Sequence, residues 1–152
     1  GRVIAYDIAP GEGGAEVEPT IHRRPEIIHG LRNLTQNAVD FATQQVQIKM
    51  RWTDMEISIA ITDDGPGFPP QILGRIGDPF VRHPDTARPG YDGMGLGLFI
   101  AKTLLERSGA VLEFSNINVP SGNSGARVTV TWPIQKLAAD RAPLGQNQKL
   151  EV

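Results

Sequence analysis

The chain has 152 residues, 39% of them hydrophobic, and its 15 basic and 17 acidic residues give a formal net charge of −2. This length predicts a single domain, and the charge balance excludes a basic surface of the kind that binds nucleic acid. The chain has no cysteine, which excludes disulfides and thiolate metal sites, and no apolar run near the roughly 20 residues that span a bilayer. Because it begins at Gly1 without a signal peptide, we expect a soluble fragment of a longer protein.

The first half of the chain predicts a strand, a helix and a hairpin. Residues 3–10 alternate loosely and end at a proline, which suits a first strand. Pro25 stands where a helix can begin, and the apolar residues after it recur at spacings of three and four. Residues 46–52 and 57–61 alternate apolar with polar residues around a short turn at 53–55, which predicts a hairpin.

The second half predicts a long loop, a helix and two more strands. After a short helix expected around 71–75, residues 77–93 hold three prolines and little apolar periodicity. A loop of that length is more often functional or mobile than idle. Residues 96–108 predict a helix that ends at a glycine, and 110–117 and 126–133 predict strands.

Together these elements predict an α+β fold, a two-layer sandwich of a mostly antiparallel mixed sheet with helices on one face. We expect the packed domain to cover residues 1–133, with a mobile loop at about 77–93. Residues 134–152 are polar and aperiodic, so we expect a poorly ordered C-terminal tail.

Two asparagines four residues apart, Asn33 and Asn37, project from one edge of the first predicted helix. Asn37 adjoins the apolar stripe, where an amide without a partner is costly. An amide oxygen is a ligand that Mg²⁺ accepts alongside phosphate oxygens and water. Taken alone, the pair is equally what a solvated helix surface carries.

The stretch "DDGPG" follows directly on a predicted strand, so Asp63 offers a fixed carboxylate at the edge of the sheet. A carboxylate only accepts hydrogen bonds and selects a ligand with an N–H donor, such as the exocyclic amine of adenine. Gly65 and Gly67 let the backbone turn and a flat ring approach. By itself the stretch is also an ordinary Asp–Gly turn.

Three further glycines, Gly93, Gly95 and Gly97, precede the second predicted helix. The unpaired N–H groups of a helix N-terminus attract phosphate, and glycine lets phosphate approach the backbone. The stretch is neither a Walker A loop nor a dinucleotide fingerprint. Phe80 and Arg82 open the long loop before it, and alone they indicate a hydrophobic anchor and a surface charge.

The order and spacing of these clusters resemble the GHKL ATP-binding superfamily, and within it the catalytic domain of bacterial sensor histidine kinases. Residues 33–42 resemble the N box of this superfamily, 63–67 the G1 box, 78–82 the F box and 93–98 the G2 box. The resemblance covers about residues 3–133. More narrowly, "LRNLTQNAVDFA", "GRIGDPFVR" and "GMGLGLFIAKTLLERSGA" resemble the redox-responsive RegB/PrrB/ActS group of kinases.

The resemblance implies the Bergerat fold, with ATP and Mg²⁺ as ligands and residues 77–93 as the ATP lid. Asn37 would bind Mg²⁺, and Asp63 would accept a hydrogen bond from the adenine amine. Asn33 and Asn37 would be the catalytic residues. The remaining nucleotide contacts would come from the two glycines of the G1 box, the F box and the G2 box: Gly65, Gly67, Phe80, Arg82, Gly93, Gly95, Leu96, Gly97 and Leu98.

Three positions depart from related patterns. Many histidine kinases carry Lys or Arg at the position of Asp40, and Thr at that of Ala126. The cation missing at Asp40 would come from one of three residues: Arg82, Arg88 or Lys102. ATP-hydrolysing members carry a Glu base at the position of Asn33; an amide there favours transfer to a neutral imidazole over activation of water.

The resemblance also implies partners outside this chain. His22, His29 and His83 have no phosphoacceptor context, so the acceptor histidine would lie on a separate dimerisation domain. The fragment would then be monomeric and unable to label itself. The full-length kinase would be dimeric, with this part on the cytoplasmic side of the inner membrane, and would serve a response regulator.

Two other functions stay open from the sequence. One is a stand-alone anti-sigma-factor serine kinase of the same superfamily, against which Asn33 argues because a serine nucleophile benefits from a base. The other is a non-catalytic docking module, which only Asp40 encourages.

Overall fold

Two long helices and five strands make up the described part of the chain. The computed structural model describes residues 2–14, 24–69, 73, 91–118 and 124–136, with 91–96 described as backbone. In chain order the elements are β1 (Val3–Pro10), α1 (Pro25–Phe41), β2 (Gln45–Trp52), β3 (Glu56–Asp63), α2 (Tyr91–Arg107), β4 (Val111–Asn118) and β5 (Ser124–Pro133).

The five strands form one sheet in the order β1-β2-β3-β5-β4. β1 pairs with β2 in parallel, which requires a crossover, and α1 is the element that lies between them in the chain. All other neighbours are antiparallel. The predicted α+β fold with a mixed, mostly antiparallel sheet is therefore confirmed.

The hydrophobic core lies between the helices and one face of the sheet. On β2 and β3 the alternation seen in the sequence decides which residues enter it: Val46 and Ile57 are buried, while their neighbours Gln47 and Ser58 are not. The two helices are in close contact at Gly30, where an added Cβ would lie 2.5 Å from Cγ of Leu105.

The end of α2 is fixed to the sheet by a buried polar pair. The indole N–H of Trp132 on β5 donates to the hydroxyl oxygen of Ser108, 2.7 Å away, and that hydroxyl donates to the carbonyl oxygen of Leu105. Gly109 follows with a φ of 99°, the left-handed conformation that commonly ends a helix. The predicted end of this helix is thereby confirmed.

The start of α2 differs from the prediction. The helix begins at Tyr91, so Gly93 and Gly95 lie inside its backbone instead of preceding it. Each glycine costs a helix up to about 1 kcal/mol relative to alanine, so the glycines weaken the local helix signal. Helix growth is cooperative, and the packed turns from Leu98 onward favour its extension through the glycines.

Residues 134–136 remain attached to the sheet. The N–H of Ile134 donates to the carbonyl oxygen of Met55, 2.8 Å away, and the side chain of Ile134 packs against the core. The helix expected around 71–75, apart from Leu73, lies outside the described residues. So do most of the expected lid and the rest of the tail.

Candidate functional site

The Asp63 side chain is a buried carboxylate at the end of β3, with only 5% of its surface exposed. One of its oxygens, Oδ1, accepts hydrogen bonds from the N–H of Gly65 at 2.9 Å and of Ala126 at 3.4 Å. The two donors come from the following loop and from β5, so the carboxylate is oriented from two directions. Sequence analysis predicted the carboxylate but not the contribution of Ala126.

Burial raises the pKa of Asp63 above its ordinary value of 3.8, and the negative charge of Asp64 raises it further. The N–H groups of Gly65 and Ala126 lower the pKa, but they do not outweigh burial. A carboxylate that has lost water without gaining a cation is a strong acceptor for a ligand that brings its own donor.

The loop after Asp63 needs its two glycines for different reasons. A Cβ on Gly65 would overlap the carbonyl oxygen of Phe41, because the loop runs directly against the last turn of α1. Gly67 has a φ of 85°, which side chains other than glycine rarely adopt. The loop therefore turns sharply while touching α1.

The same contact relates the loop to the predicted metal ligand. Asn37 precedes Phe41 by one helical turn, so the two lie on the same edge of α1. Asn33 lies one turn further back, and both asparagines are half-buried. Neither amide has a hydrogen-bond partner among the described residues. The fold thus brings the Asn37 edge and the Asp63 loop to one end of the domain.

Asp64, which the sequence analysis did not single out, fixes the chain between α1 and β2. Its Oδ1 accepts the N–H groups of Thr43, Gln44 and Gln45 at 2.8, 3.0 and 3.1 Å. Burial opposes ionisation of Asp64, but these backbone donors outweigh it and lower the pKa below 3.8. Asp64 thus ties the end of α1 to the end of β3, one residue beyond Asp63.

Replacing Asp64 with asparagine is expected to lower the free energy of unfolding at pH 7 by about 1 kcal/mol, since charge-assisted bonds become neutral at a partly exposed site. A carboxyl whose pKa is lowered by folding stabilises the protein above its unfolded pKa, and this stabilisation is lost as pH falls through the folded value. The difference between wild type and variant should therefore begin to shrink as the pH falls below about 3.8, and it should vanish only below the lower pKa of the folded protein. Urea unfolding followed by tryptophan fluorescence at several pH values measures it.

The matched control is Asp54→Asn, which removes an exposed carboxylate in the β2–β3 turn that has no side-chain bond to a described residue. It should leave the stability unchanged. An equal loss in both variants would show that net charge, and not the three backbone bonds, explains the effect.

Two polar side chains from β4 and β5 hold the far side of the Asp63 loop, and sequence analysis missed both. Asn116 pairs with the backbone of Phe68 through its amide, and the hydroxyl of Ser124 donates to the carbonyl oxygen of Pro66 at 2.9 Å. Neither residue stands out in the sequence, because each bond joins segments about 50 residues or more apart.

Asp40 and Lys102, two residues that bear on the expected phosphate contacts, each bond to a side chain on their own helix. Oδ1 of Asp40, on the exposed side of α1, accepts the side-chain N–H of Gln36 at 2.9 Å. The ammonium of Lys102 pairs with Glu106, 2.9 Å away. Arg82 and Arg88, the other two candidate cations, lie outside the described residues, as does Phe80.

The glycine-rich stretch is described only in part. Gly93, Gly95 and Leu96 are described as helical backbone, whereas Gly97 and Leu98 are described in full. The Leu98 side chain is 1% exposed in the core, so any nucleotide contact there would come from its backbone. An added Cβ on Gly97 would meet nothing within 4 Å.

A cavity of about 260 Å³ borders the end of β2 and β3 and is lined by five polar residues: Gln45, Gln47, Thr62, Asp63 and Asp64. Gln47 and Thr62 form a pair on the sheet face opposite the core, so this cavity opens away from the helices.

The amide of Asn37 fits the role of a single protein ligand to Mg²⁺. In the part of the chain that the structure describes, no group of three or more histidine, aspartate or glutamate side chains could hold a metal. A Mg²⁺ ion here would therefore take most of its oxygen ligands from phosphates and water, as it usually does in nucleotide sites.

None of the described helices is long and apolar enough to cross a membrane.

A family model described as histidine kinase-, DNA gyrase B- and HSP90-like ATPase matches residues 22–136. The chain belongs to this family. The matched region contains α1 with its two asparagines, the Asp63 loop and α2. The members of this family are ATPases by description, which supports nucleotide binding by this domain.

Relatives among well-characterised proteins narrow the family to sensor kinases. The chain is 56% identical over 97% of its length to the sensor histidine kinase RegB of Cereibacter sphaeroides. It is 35% identical over 73% of its length to the signal transduction histidine-protein kinase AfsQ2 of Streptomyces coelicolor. It spans 35% and 19% of the length of these two proteins. The predicted resemblance to the RegB group is confirmed.

Solved structures show the same fold. The mycobacterial sensor histidine kinase MprB aligns with a TM-score of 0.65 at 23% identity, over 86% of this chain and 83% of that one. Full-length ShkA in complex with AMPPNP aligns with a TM-score of 0.60 at 26% identity, over 86% of this chain and 25% of that one. The chain is the ATP-binding catalytic domain of a sensor histidine kinase.

Proposed function

We propose that this domain binds ATP with Mg²⁺ and transfers the γ-phosphoryl group to a histidine on a dimerisation domain that is not part of this chain. The observation that best supports the proposal is the buried Asp63 carboxylate, held next to the last turn of the helix that carries Asn33 and Asn37. The likeness to ShkA, whose structure contains AMPPNP, supports an adenine nucleotide as the ligand.

The proposal gives a role to each candidate site residue that the structure describes in full. Asp63 accepts the exocyclic amine of adenine, while Gly65 and Gly67 give the ring access to the backbone. The Asn37 amide holds Mg²⁺, which when bound neutralises part of the phosphate charge. The other nucleotide contacts stay predictions: Phe80, Arg82, Gly93, Gly95, Leu96, Gly97 and Leu98.

The transfer step needs little acid–base chemistry from the domain. An imidazole nitrogen of the acceptor attacks the γ-phosphorus, the bond to the bridging oxygen breaks, and ADP leaves with that oxygen. A neutral imidazole is already nucleophilic, so the amide of Asn33, which accepts protons poorly, suffices at a position where a hydrolase needs a base. Catalysis then depends on positioning and charge neutralisation.

The partners follow from the likeness to RegB and to the other sensor kinases. The acceptor histidine lies on the kinase's own dimerisation domain, and the phosphoryl group passes on to a response regulator. In the full-length, dimeric protein this domain belongs to the cytoplasmic part of an inner-membrane sensor. The similarity to RegB supports a role in redox-responsive signalling.

Mixing the domain with a purified histidine-bearing dimerisation fragment, Mg²⁺ and [γ-³²P]ATP tests the proposal. We expect label on the fragment that is stable in alkali and lost in acid, as phosphohistidine is, and no label on the domain alone. Acid-stable label would show a serine kinase instead. A domain that binds no ADP at millimolar concentration in calorimetry would be a docking module.

A further inference from the structure

We propose that Asn116 on β4 is a positioning residue for the adenine-binding loop and that it contributes to the choice of base. The inference rests on the proposed function, because it assigns a further residue to the same nucleotide site. Asn116 lies outside every motif that the sequence analysis identified, 53 positions after Asp63.

The side-chain amide of Asn116 makes two hydrogen bonds to the backbone of one loop residue, Phe68. Its Oδ1 accepts the N–H of Phe68 at 2.7 Å, and its Nδ2 donates to the carbonyl oxygen of Phe68 at 2.9 Å. Two opposed bonds to one backbone unit fix the direction of the chain as well as its distance. An ionised aspartate at this position could make only the first of the two, because it has no hydrogen to donate.

The residue next to this contact, Gly67, has a backbone conformation that favours glycine. A Cβ on Gly67 would lie 2.9 Å from Oδ1 of Asn116, so the amide packs directly against the backbone of Gly67, whose φ is 85°. The ring of Phe68 is buried and meets Phe114 edge-on, with ring centroids 6.1 Å apart. Phe114 precedes Asn116 by two residues on the same face of β4, so one strand holds both the side chain and the backbone of Phe68.

The same strand pair also reaches Asp63. Asn116 pairs with Ala126 in the ladder between β4 and β5, and the N–H of Ala126 donates to Oδ1 of Asp63. The base-reading carboxylate and the end of its loop are thus held by neighbouring residues of one ladder. A change at Asn116 frees the loop at Phe68 while leaving the bonds of Asp63 intact.

Base selectivity is the property that this arrangement should control. The Asp63 carboxylate attracts the amine of adenine and repels the carbonyl oxygen that guanine carries at the same position. Repulsion discriminates only if the ring cannot shift away from the carboxylate, and the backbone of Gly65–Phe68 limits that shift. A loop released at Phe68 should bind adenine more weakly and reject guanine less.

The experiment compares Asn116→Ala and Asn116→Asp with Asn118→Ala. Asn118 is a matched control, because it lies on the same strand and face two residues later and its side chain has no bond to a described residue. Calorimetry with Mg·ADP and with Mg·GDP gives the dissociation constant of each variant, and thermal unfolding gives its stability. Asn116 is exposed at the end of the sheet, so neither substitution opens a cavity in the core.

For Asn116→Ala we expect the dissociation constant for ADP to rise about tenfold, since two hydrogen bonds are lost. Asn116→Asp should lose at least as much, because an oxygen then faces the Phe68 carbonyl. In both variants the preference for ADP over GDP should fall, whereas Asn118→Ala should keep wild-type values for both nucleotides.

Two results would overturn the inference. One is wild-type ADP affinity in both Asn116 variants. The other is weakened binding with unchanged preference for ADP over GDP, which would show a structural role only. Failure of the proposed function looks different, because the wild-type domain would then bind neither nucleotide.

Discussion

Replacing Asp63 with asparagine is expected to weaken ADP binding by about 1–3 kcal/mol, the usual cost of losing a charge-assisted hydrogen bond at a desolvated site. The side chain keeps its size, and the amide oxygen can still accept the N–H groups of Gly65 and Ala126. What changes is the second atom, which becomes a donor where the adenine amine needs an acceptor. The loss should therefore appear in binding and not in folding.

The pKa of Asp63 gives this prediction two further checks. Because burial raises the folded pKa, the ionised carboxylate is less favourable in the folded than in the unfolded protein, so the asparagine variant should be at least as stable at pH 7. As pH falls toward the raised pKa, wild-type Asp63 takes up a proton and loses affinity for the amine. The variant, which has no carboxyl group to protonate at this position, should show no such dependence.

Calorimetric titration with ADP at several pH values, combined with urea unfolding of the free domain, measures both effects. Asp64→Asn is the neighbouring control, since it removes a carboxylate one residue away that faces the backbone of residues 43–45. It should change stability more than ADP affinity. Equal ADP affinity in wild type and the Asp63 variant would contradict the assignment of this carboxylate.

Most of the fold could be predicted because its signals are local. Alternation over 46–52 and 57–61 predicted the hairpin, and Pro25 with the apolar stripe predicted the start and face of α1. Both patterns arise from one element that buries one face, so they can be read from neighbouring residues. The start of α2 at Tyr91 could not be predicted, because the glycines near the start of the helix weaken the local helix signal without forbidding a helix.

In the candidate site, too, the local features could be predicted from the sequence and the long-range contacts could not. Asp63, Gly65 and Gly67 were predicted from one short stretch, in which turn chemistry and a carboxylate lie together. The contacts that hold this stretch come from far along the chain, through Asn116 and the N–H of Ala126. A backbone donor has no sequence signature, and an asparagine in a strand indicates no partner. Such contacts follow from strand register, which the sequence does not specify to the residue.

Replacing Asn37 with aspartate is expected to lower the rate of phosphotransfer from Mg·ATP by about 100-fold. The two side chains have the same shape, but the variant adds a full negative charge where the proposed site brings Mg²⁺ and the triphosphate together. A carboxylate repels the phosphate oxygens and holds the metal more tightly than an amide does. The metal is then less able to neutralise the charge that develops on the transferred group.

Gln36→Glu is the matched control for Asn37→Asp. It makes the same amide-to-carboxylate change and adds the same charge one residue away, but Gln36 lies on the exposed side of α1, where its side chain bonds to Asp40. Its rate should stay within about threefold of wild type, since exposed charges are well screened. In both variants, the ADP affinity measured without Mg²⁺ should change by a much smaller factor than the phosphotransfer rate of Asn37→Asp. Equal losses of rate in both would show that the charge acts through the general field of the helix, and Asn37 would lose its role as metal ligand.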